Sequence, residues 1–288
     1  NKCMTRNEWD MHCHTVYSDG TYSPEELIIQ AKEKGLAGVA ITDHDTTASW
    51  QDAKAASLAF GYPLIRGTEI TAESGKTSVH VLAYLFDCED EAALGLFAQT
   101  RRARQERIRT MVDRIARDYP ITWESVRAQI RNGEDTTVGR PHIADALVEA
   151  GVYPDRSAAF TGIISTHSPY YVPVFSPDVE TVVSTMKQAG GVVVIAHPGA
   201  VSRNRFLLSD GEIGRLARLG LDGLEVYHRD NPPEQRRRLS ALAERFGLLA
   251  TGGSDWHGKG KPNELGENTT GIETVDEIIS RGVIRVLP

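Results

Sequence analysis

Nine histidines are spread along the 288-residue chain: His12, His14, His44, His80, His142, His167, His197, His228 and His257. Four of them, His12, His14, His44 and His197, fall at or just past the end of a short apolar run, and His257 follows another. Carboxylates keep them company at Asp19, Asp43, Asp45, Glu69 and Asp255. The H-x-H spacing of His12 and His14 puts both imidazoles on one side of a strand, where they can share a cation. A lone pair of this kind is as readily two satisfied core histidines. Here the pattern recurs: T-D-H-D at Thr42–Asp45, Glu69 after R-G-T, His80, H-P-G at His197–Gly199, and D-x-H at Asp255–His257 after Gly252-Gly253. Six such elements on successive strands are hard to obtain from packing alone, so these residues predict metal binding. The set contains no thiolate, which suits Zn²⁺, Mn²⁺ or Fe²⁺ and not a cysteine-rich structural zinc site. Nine suitable side chains exceed the needs of one ion, so two or three divalent ions sharing a carboxylate are predicted. Cys13, between the two histidines, must point the other way, into the core.

Such ligands need a scaffold that gathers strand ends. Short apolar runs predict strands over 9–14, 38–43, 63–70 and 78–85. Between the first two, Ser23 is an N-cap, Pro24 fits the first helical position, Glu26 completes a capping box and Gly35 ends the helix. A second helix is predicted over 48–60, stopped by Gly61 and Pro63. Apolar strands alternating with helices predict a parallel sheet covered on both faces. From 89 to 187 the patterns are mostly helical, with helices over 91–117, 122–131 and 141–150. This stretch is far longer than an ordinary connection and reads as an insertion. The alternation returns with a helix over 176–190, strands over 191–197, 221–227, 248–254 and 283–287, and helices over 210–219, 233–246 and 275–280. Residues 258–266 read as a polar loop. Eight strand candidates predict an α/β fold, a closed and irregular (β/α) barrel with a helical insertion, against the alternative of an open doubly wound sheet. The division expected is 1–88 for the first part of the barrel, 89–187 for the insertion capping the site, and 188–288 for the second part.

Composition narrows the class. With 32 basic and 39 acidic residues the net charge is −7, and 40% hydrophobic with 25% charged content is ordinary globular usage. No apolar run approaches a membrane span, and the first ten residues show no signal-peptide pattern. Three cysteines, Cys3, Cys13 and Cys88, are too few for a disulfide framework. The expectation is a soluble, cytoplasmic protein with no membrane and no stable nucleic-acid partner, whose positive charge for any phosphate must be local.

The motifs H-C-H-T…S-D-G-T at His12–Thr21, I-T-D-H-D at Ile41–Asp45, G-T-E at Gly67–Glu69, H-V-L at His80–Leu82, A-H-P-G at Ala196–Gly199 and G-S-D-W-H at Gly253–His257 resemble the PHP (polymerase and histidinol phosphatase) family. G-R-P-H at Gly139–His142 further resembles its nucleoside 3′,5′-bisphosphate phosphatase branch. The resemblance implies a distorted (β/α)7 barrel and three metals. It assigns His12, His14, Glu69 and Asp255 to one site, Asp19, His44 and His257 to a second, and Glu69, His80 and His197 to a third. Some family members carry His where this chain has Asp19. Three divalent ions, three carboxylates and a bridging hydroxide would leave a net charge matched to a phosphate dianion. The implied activity is hydrolysis of a phosphomonoester on a small nucleotide, 3′,5′-bisphosphonucleotide-like, by a metal-bridging hydroxide.

The remaining residues have weaker signals. Arg140 and His142 start a helix, where Arg140 could hold a phosphate bidentately or both could serve the helix end. Arg203 and Arg205 follow the H-P-G turn and could grip a second phosphate. Tyr171, with Ser168 and Tyr170, could stack a base or fill the insertion's core. Arg101, Arg102, Arg104, Arg107 and Arg109 read as a solvated helix surface, Trp256 as a pocket wall, and Asp43 and Asp45 as groups orienting ligands. His142, His228 or a metal-bound water could protonate the leaving group, whose donor is not assigned; His167 has no role. Alternative functions are a 5′→3′ exonuclease on short RNA or DNA, a histidinol-phosphate phosphatase, and a non-catalytic metal-binding module. A C–N hydrolase would need a carboxylated lysine, and no lysine stands at these strand ends.

Overall fold

A computed structural model describes residues 7–288, so Cys3 lies outside the described residues. Among the described residues eight strands form one sheet: β1 (Glu8–Cys13), β2 (Gly38–Ile41), β3 (Leu64–Ser74), β4 (Thr77–Tyr84), β5 (Val192–Ala196), β6 (Gly223–Tyr227), β7 (Leu249–Gly252) and β8 (Thr270–Gly271). Their order is β7-β6-β5-β4-β3-β2-β1-β8. The sheet curls until its ends meet. His14 N donates to Trp256 O at 2.8 Å, Trp256 N donates to His12 O at 3.3 Å, and the Thr270 hydroxyl bonds both N and O of Gly252. The result is a distorted barrel.

The ladders are not uniformly parallel. β4 runs antiparallel to both β3 and β5, and β8 antiparallel to β1. Only Gly75 and Lys76 separate β3 from β4, a hairpin connection far too short for a parallel crossover. The strand predicted over 283–287 is also absent. Leu287 makes a single bridge to Leu64, because β2 and β4 already occupy the two edges of β3 beyond that point. Thr270–Gly271 takes the place at β1 instead.

The helices are α1 (Pro24–Glu33), α2 (Trp50–Phe60), α3 (Glu91–Ile115), α4 (Trp123–Arg127), α5 (Arg140–Glu149), α6 (Arg156–Thr161), α7 (Val179–Gln188), α8 (Asp210–Arg218), α9 (Pro233–Phe246) and α10 (Ile272–Arg281). Ser23 and Glu26 form the capping box of α1. None of these helices is long and apolar enough to cross a membrane. Alternate strand residues divide between two cores. Trp9, Met11, Ala40, Ile65, Leu82, Tyr84, Val192 and Val194 fill the barrel with Val275 and Ile278 of α10 beneath them. The opposite set, Val39, Ile41, Leu64, Val81, Val193 and Ile195, packs under the outer helices. Each such aliphatic side chain contributes roughly 1.5–3 kcal/mol on full burial. A third cluster, from Ile108 to Ile164, is built by the later turns of α3 with α4, α5 and α6.

One irregularity in β1 sets up the site. The ladder shifts register between Asp10 and Cys13. Trp9 and Met11 face the barrel interior below the shift, while Cys13 belongs to the outer core above it. His12 and His14 are thereby turned inward, as β-bulges beside active sites commonly re-aim side chains. Asp10 holds the bulge together, accepting from the backbone N–H groups of His12, Ser254 and Gly266 at 3.2, 3.0 and 2.8 Å.

Candidate metal centre

At the C-terminal mouth of the barrel a single carboxylate is ringed by imidazoles. Glu69 Oε1 lies 3.3 Å from His12 Nε2, 3.1 Å from His14 Nε2 and 3.4 Å from His44 Nδ1. Its Oε2 lies 3.2 Å from His80 Nδ1 and 3.3 Å from His197 Nε2. Asp255 Oδ1 approaches His12 and His14 at 3.4 and 3.2 Å from the far side. Asp19 approaches His257 Nε2 at 3.0 Å and His44 Nε2 at 3.5 Å. Among the described residues five groups have metal-ligating spacing, and three of them hold the residues named from the sequence: His12, His14, Glu69 and Asp255; His14, Asp19, His44 and His257; Glu69, His80 and His197; the other two bring in His228, with His12 and Glu225 or with His197 and Asp255. All nine residues named from the sequence meet in this cavity. His14 presents nitrogens to two of the groups, which spacing did not reveal.

The side chains are held by a second layer. His12 Nδ1 donates to Glu225 Oε2 at 2.8 Å, so its lone pair sits on Nε2, facing Glu69 and Asp255. His257 Nδ1 donates to the Asp255 carbonyl at 2.8 Å, leaving its Nε2 lone pair toward Asp19. This is how carboxylates and carbonyls orient metal-binding imidazoles. His228 Nδ1 accepts from Asp230 N, so Nε2–H points to Asp255 Oδ2 at 3.2 Å. Asp43 accepts from Thr15 N, Thr15 Oγ1 and Ser18 Oγ at 2.6–2.7 Å, pinning the loop that carries Asp19. Asp45 accepts from Thr71 and Arg104. Glu225 was missed in the sequence; a lone carboxylate inside the apolar run G-L-E-V-Y was its signal.

Two observations test whether this set fits cations. The buried nitrogens His12 Nε2, His14 Nδ1 and Nε2, His44 Nδ1, His197 Nε2 and His257 Nε2 have no hydrogen-bond partner. Buried polar atoms rarely stay unpaired, and six aimed at one space call for an acceptor of lone pairs. The backbone is also strained here: Asp45, His197 and Asp255 have φ of 51°, 31° and 55°. Non-glycine residues seldom adopt such angles outside functional sites. The residues fit divalent metal ions.

Electrostatics agree. Burial would raise the Glu69 carboxyl, but His12, His80 and His44 beside it hold it well below the usual range. Burial of Asp19 is outweighed by His257 and His44, and that of Asp255 by Lys261 and His12. Conversely, burial would lower His14, but the Asp255 and Glu69 carboxylates 3.2 and 3.1 Å from its Nε2 raise it to about 9. Without metal the protons do the work of cations.

Gly253 lets β7 pass this close. A Cβ there would sit 2.4 Å from His12 Cβ and 3.0 Å from Glu225 Oε2. Gly253→Ala is expected to cost about 1–3 kcal/mol of stability by overpacking and to weaken metal binding by tilting His12. Thermal unfolding together with a Mn²⁺ titration checks this; wild-type values in both would refute it.

The other named residues divide. Arg203 donates to Asp230 Oδ2 and Asp255 Oδ2 at 2.8 and 3.0 Å, at the edge of the centre. Arg205 does not join it, stacking on exposed Phe206 instead. His142 Nδ1 accepts from Gly139 N at 3.0 Å and so caps α5. Arg140 donates to Ile164 O and lies over the rings of Phe160 and Tyr171. Trp256 is core, stacked on Tyr22, and not a pocket wall. His167 is exposed. The arginine run is not one solvated surface. Arg104 and Arg107 are each only 9% exposed, because they share a helix face with Ile108, Met111 and Ile115.

The model of the PHP domain matches residues 10–139. A 5′-3′ exoribonuclease of Haemophilus influenzae is 30% identical over 281 residues, covering 96% of this chain and 98% of that one. A 3′,5′-nucleoside bisphosphate phosphatase of Chromobacterium violaceum is 30% identical over 253 residues, 88% of each chain. A crystal structure from Bifidobacterium adolescentis, provisionally named a metal-dependent phosphoesterase, superposes with a TM-score of 0.95 at 57% identity and covers 96% of both chains.

Proposed function

The chain belongs to the PHP family of metal-dependent phosphoesterases, and from that premise we propose that it removes a phosphoryl group from a small nucleotide carrying a second phosphate. What carries this reading is Glu69 within 3.4 Å of five imidazoles. Divalent ions bound there would polarise phosphoryl oxygens and bring the pKa of a bound water toward about 7. The protein's own residues hold the geometry. Glu225 and the Asp255 carbonyl fix the tautomers of His12 and His257, Asp43 fixes the Asp19 loop, and Arg203 restrains Asp255.

The second phosphate has a counterpart beside this cavity. Arg104 donates to Asp45 Oδ2 and to Thr71 Oγ1, next to His44 and opposite His80 in the β3–β4 ladder. Arg107 lies between Arg104 and Arg140; burial and those two charges pull it down to about 9. Its Nε has no partner. Three guanidiniums and one carboxylate favour a bound anion. Arg107→Met is expected to lower kcat/KM for a 3′,5′-bisphosphonucleotide about 10- to 100-fold, the worth of a charge-assisted hydrogen bond of about 1.5–3 kcal/mol. The loss on a nucleoside monophosphate should be far smaller. Equal losses on both substrates would remove the arginines from the reading.

A phosphate-release panel tests the whole. With Mn²⁺, Fe²⁺ or Zn²⁺ supplied, the bisphosphonucleotide is expected to outpace histidinol phosphate and aryl phosphate. Faster attack on 5′-phosphorylated RNA would favour the exonuclease reading, which the Haemophilus relative keeps in the panel. Silence on every substrate with every metal would leave the non-catalytic module.

A further inference from the structure

A cleft of about 890 Å³ lies between α3, α4 and the 130–138 segment, apart from the metal cavity. Such a volume accommodates a small ligand. Arg101, Arg102, Arg109 and Arg127 line it, against Glu124 and Glu134. None of these four guanidiniums is paired with a carboxylate among the described residues, in a chain whose net charge is −7. The Arg109 guanidinium lies over the Trp123 ring, 4.6 Å from its centroid, a cation–aromatic platform in the wall. The cleft is also tied to the metal centre. Arg101 Nη1 donates to Asp45 O, the residue after His44, at 2.8 Å. Thr136 Oγ1 and Thr137 N donate to Val16 O and Tyr17 O, each at 2.8 Å, in the loop between His14 and Asp19.

Unpaired guanidiniums attract phosphate, and an Arg–Trp platform suits the face of a base. An acidic peptide would use the charges but leave the platform idle. We propose that this cleft is a second nucleotide-binding site, filled either by a free nucleotide or by the following residues of a single strand whose terminal phosphate is at the metals. The site stands on its own charges; only its link to turnover rests on the phosphoesterase reading.

The test uses the full chain in EDTA, so that binding is read without hydrolysis and separately from phosphate release. A fluorescein-labelled hexadeoxyadenylate is titrated at low salt and followed by anisotropy. It is expected to bind, and the double variant R102E/R127E to bind about tenfold or more weakly, since each lost phosphate contact also flattens the salt dependence. The matched control R218E/R237E reverses exposed charges on α8 and α9 and is expected to keep wild-type affinity. Should the double variant not fold by circular dichroism, R102E alone serves. Displacement by AMP identifies a free-nucleotide site, and its absence a strand site. No binding, equal loss in the control, or binding of hexaglutamate in preference to the oligonucleotide would overturn the proposal.

Discussion

Glu69→Gln is expected to lower kcat/KM on any hydrolysed phosphoester by about 10³-fold or more and to leave the chain short of at least one bound ion. The side chain keeps its shape and loses its charge. Five imidazoles converge on its two oxygens at 3.1–3.4 Å, so no other residue can take over all of those contacts. Metal-assisted charge stabilisation is worth several kcal/mol, and about 4 kcal/mol is a thousandfold in rate. Glu225→Gln supplies the scale. It stands behind the ring of imidazoles, holding His12 Nδ1 at 2.8 Å and accepting from His197 N at 2.9 Å, and losses of such orienting partners run to about 10- to 100-fold. Steady-state kinetics and metal analysis by mass spectrometry read both variants. Equal effects, or full metal content in the Glu69 variant, would mean that Glu69 is not shared between ions.

Glu69 and the eight residues around it were legible in the sequence because imidazoles and carboxylates recur on or soon after short apolar runs, and a barrel gathers strand ends on one face. Helix caps were legible for the same local reason, as Ser23 and Glu26 show. What escaped was set by pairing and packing. The β1 bulge depends on Asp10 meeting N–H groups of residues 254 and 266, more than 240 positions away. The direction of β4 follows from a two-residue turn at Gly75, a signal overridden by the parallel pattern around it. Arg104 and Arg107 look like surface charge until their helix face is read with Ile108 and Met111, which bury them. Thr270–Gly271 is too short to announce itself as a strand, and 283–287 alternates like one but finds both edges of β3 taken.

Chelation should act on stability as well as on activity, with a dependence on pH whose sign follows from the centre itself. His14 titrates at about 9 without metal, above its ordinary 6.5. The attraction of its protonated ring to Glu69 and Asp255 is therefore fully present below about 6.5 and is lost as pH rises through 9. The depressed carboxyls of Asp19, Glu69 and Asp255 act oppositely, contributing above their ordinary values near 4 and fading only as acid titrates them. Above pH 9 His14 has lost its proton while three charged carboxylates remain, and His12, raised against its burial by Glu225, Glu69 and Asp255, is the ring that still favours a proton, so divalent cations relieve this state more than the one below pH 9. Metal binding below pH 9 must also expel the His14 proton, which weakens it up to tenfold per pH unit for each proton released. The rise in thermal midpoint on adding Mn²⁺ to EDTA-treated protein should therefore grow from pH 6 to pH 9. At a thousandfold excess over Kd the stabilisation is about 4 kcal/mol, or on the order of 10 °C for a chain of this size. Differential scanning fluorimetry across that range reads it directly, and a midpoint indifferent to Mn²⁺, Fe²⁺ and Zn²⁺ at every pH would mean that these imidazoles and carboxylates bind one another and not metal.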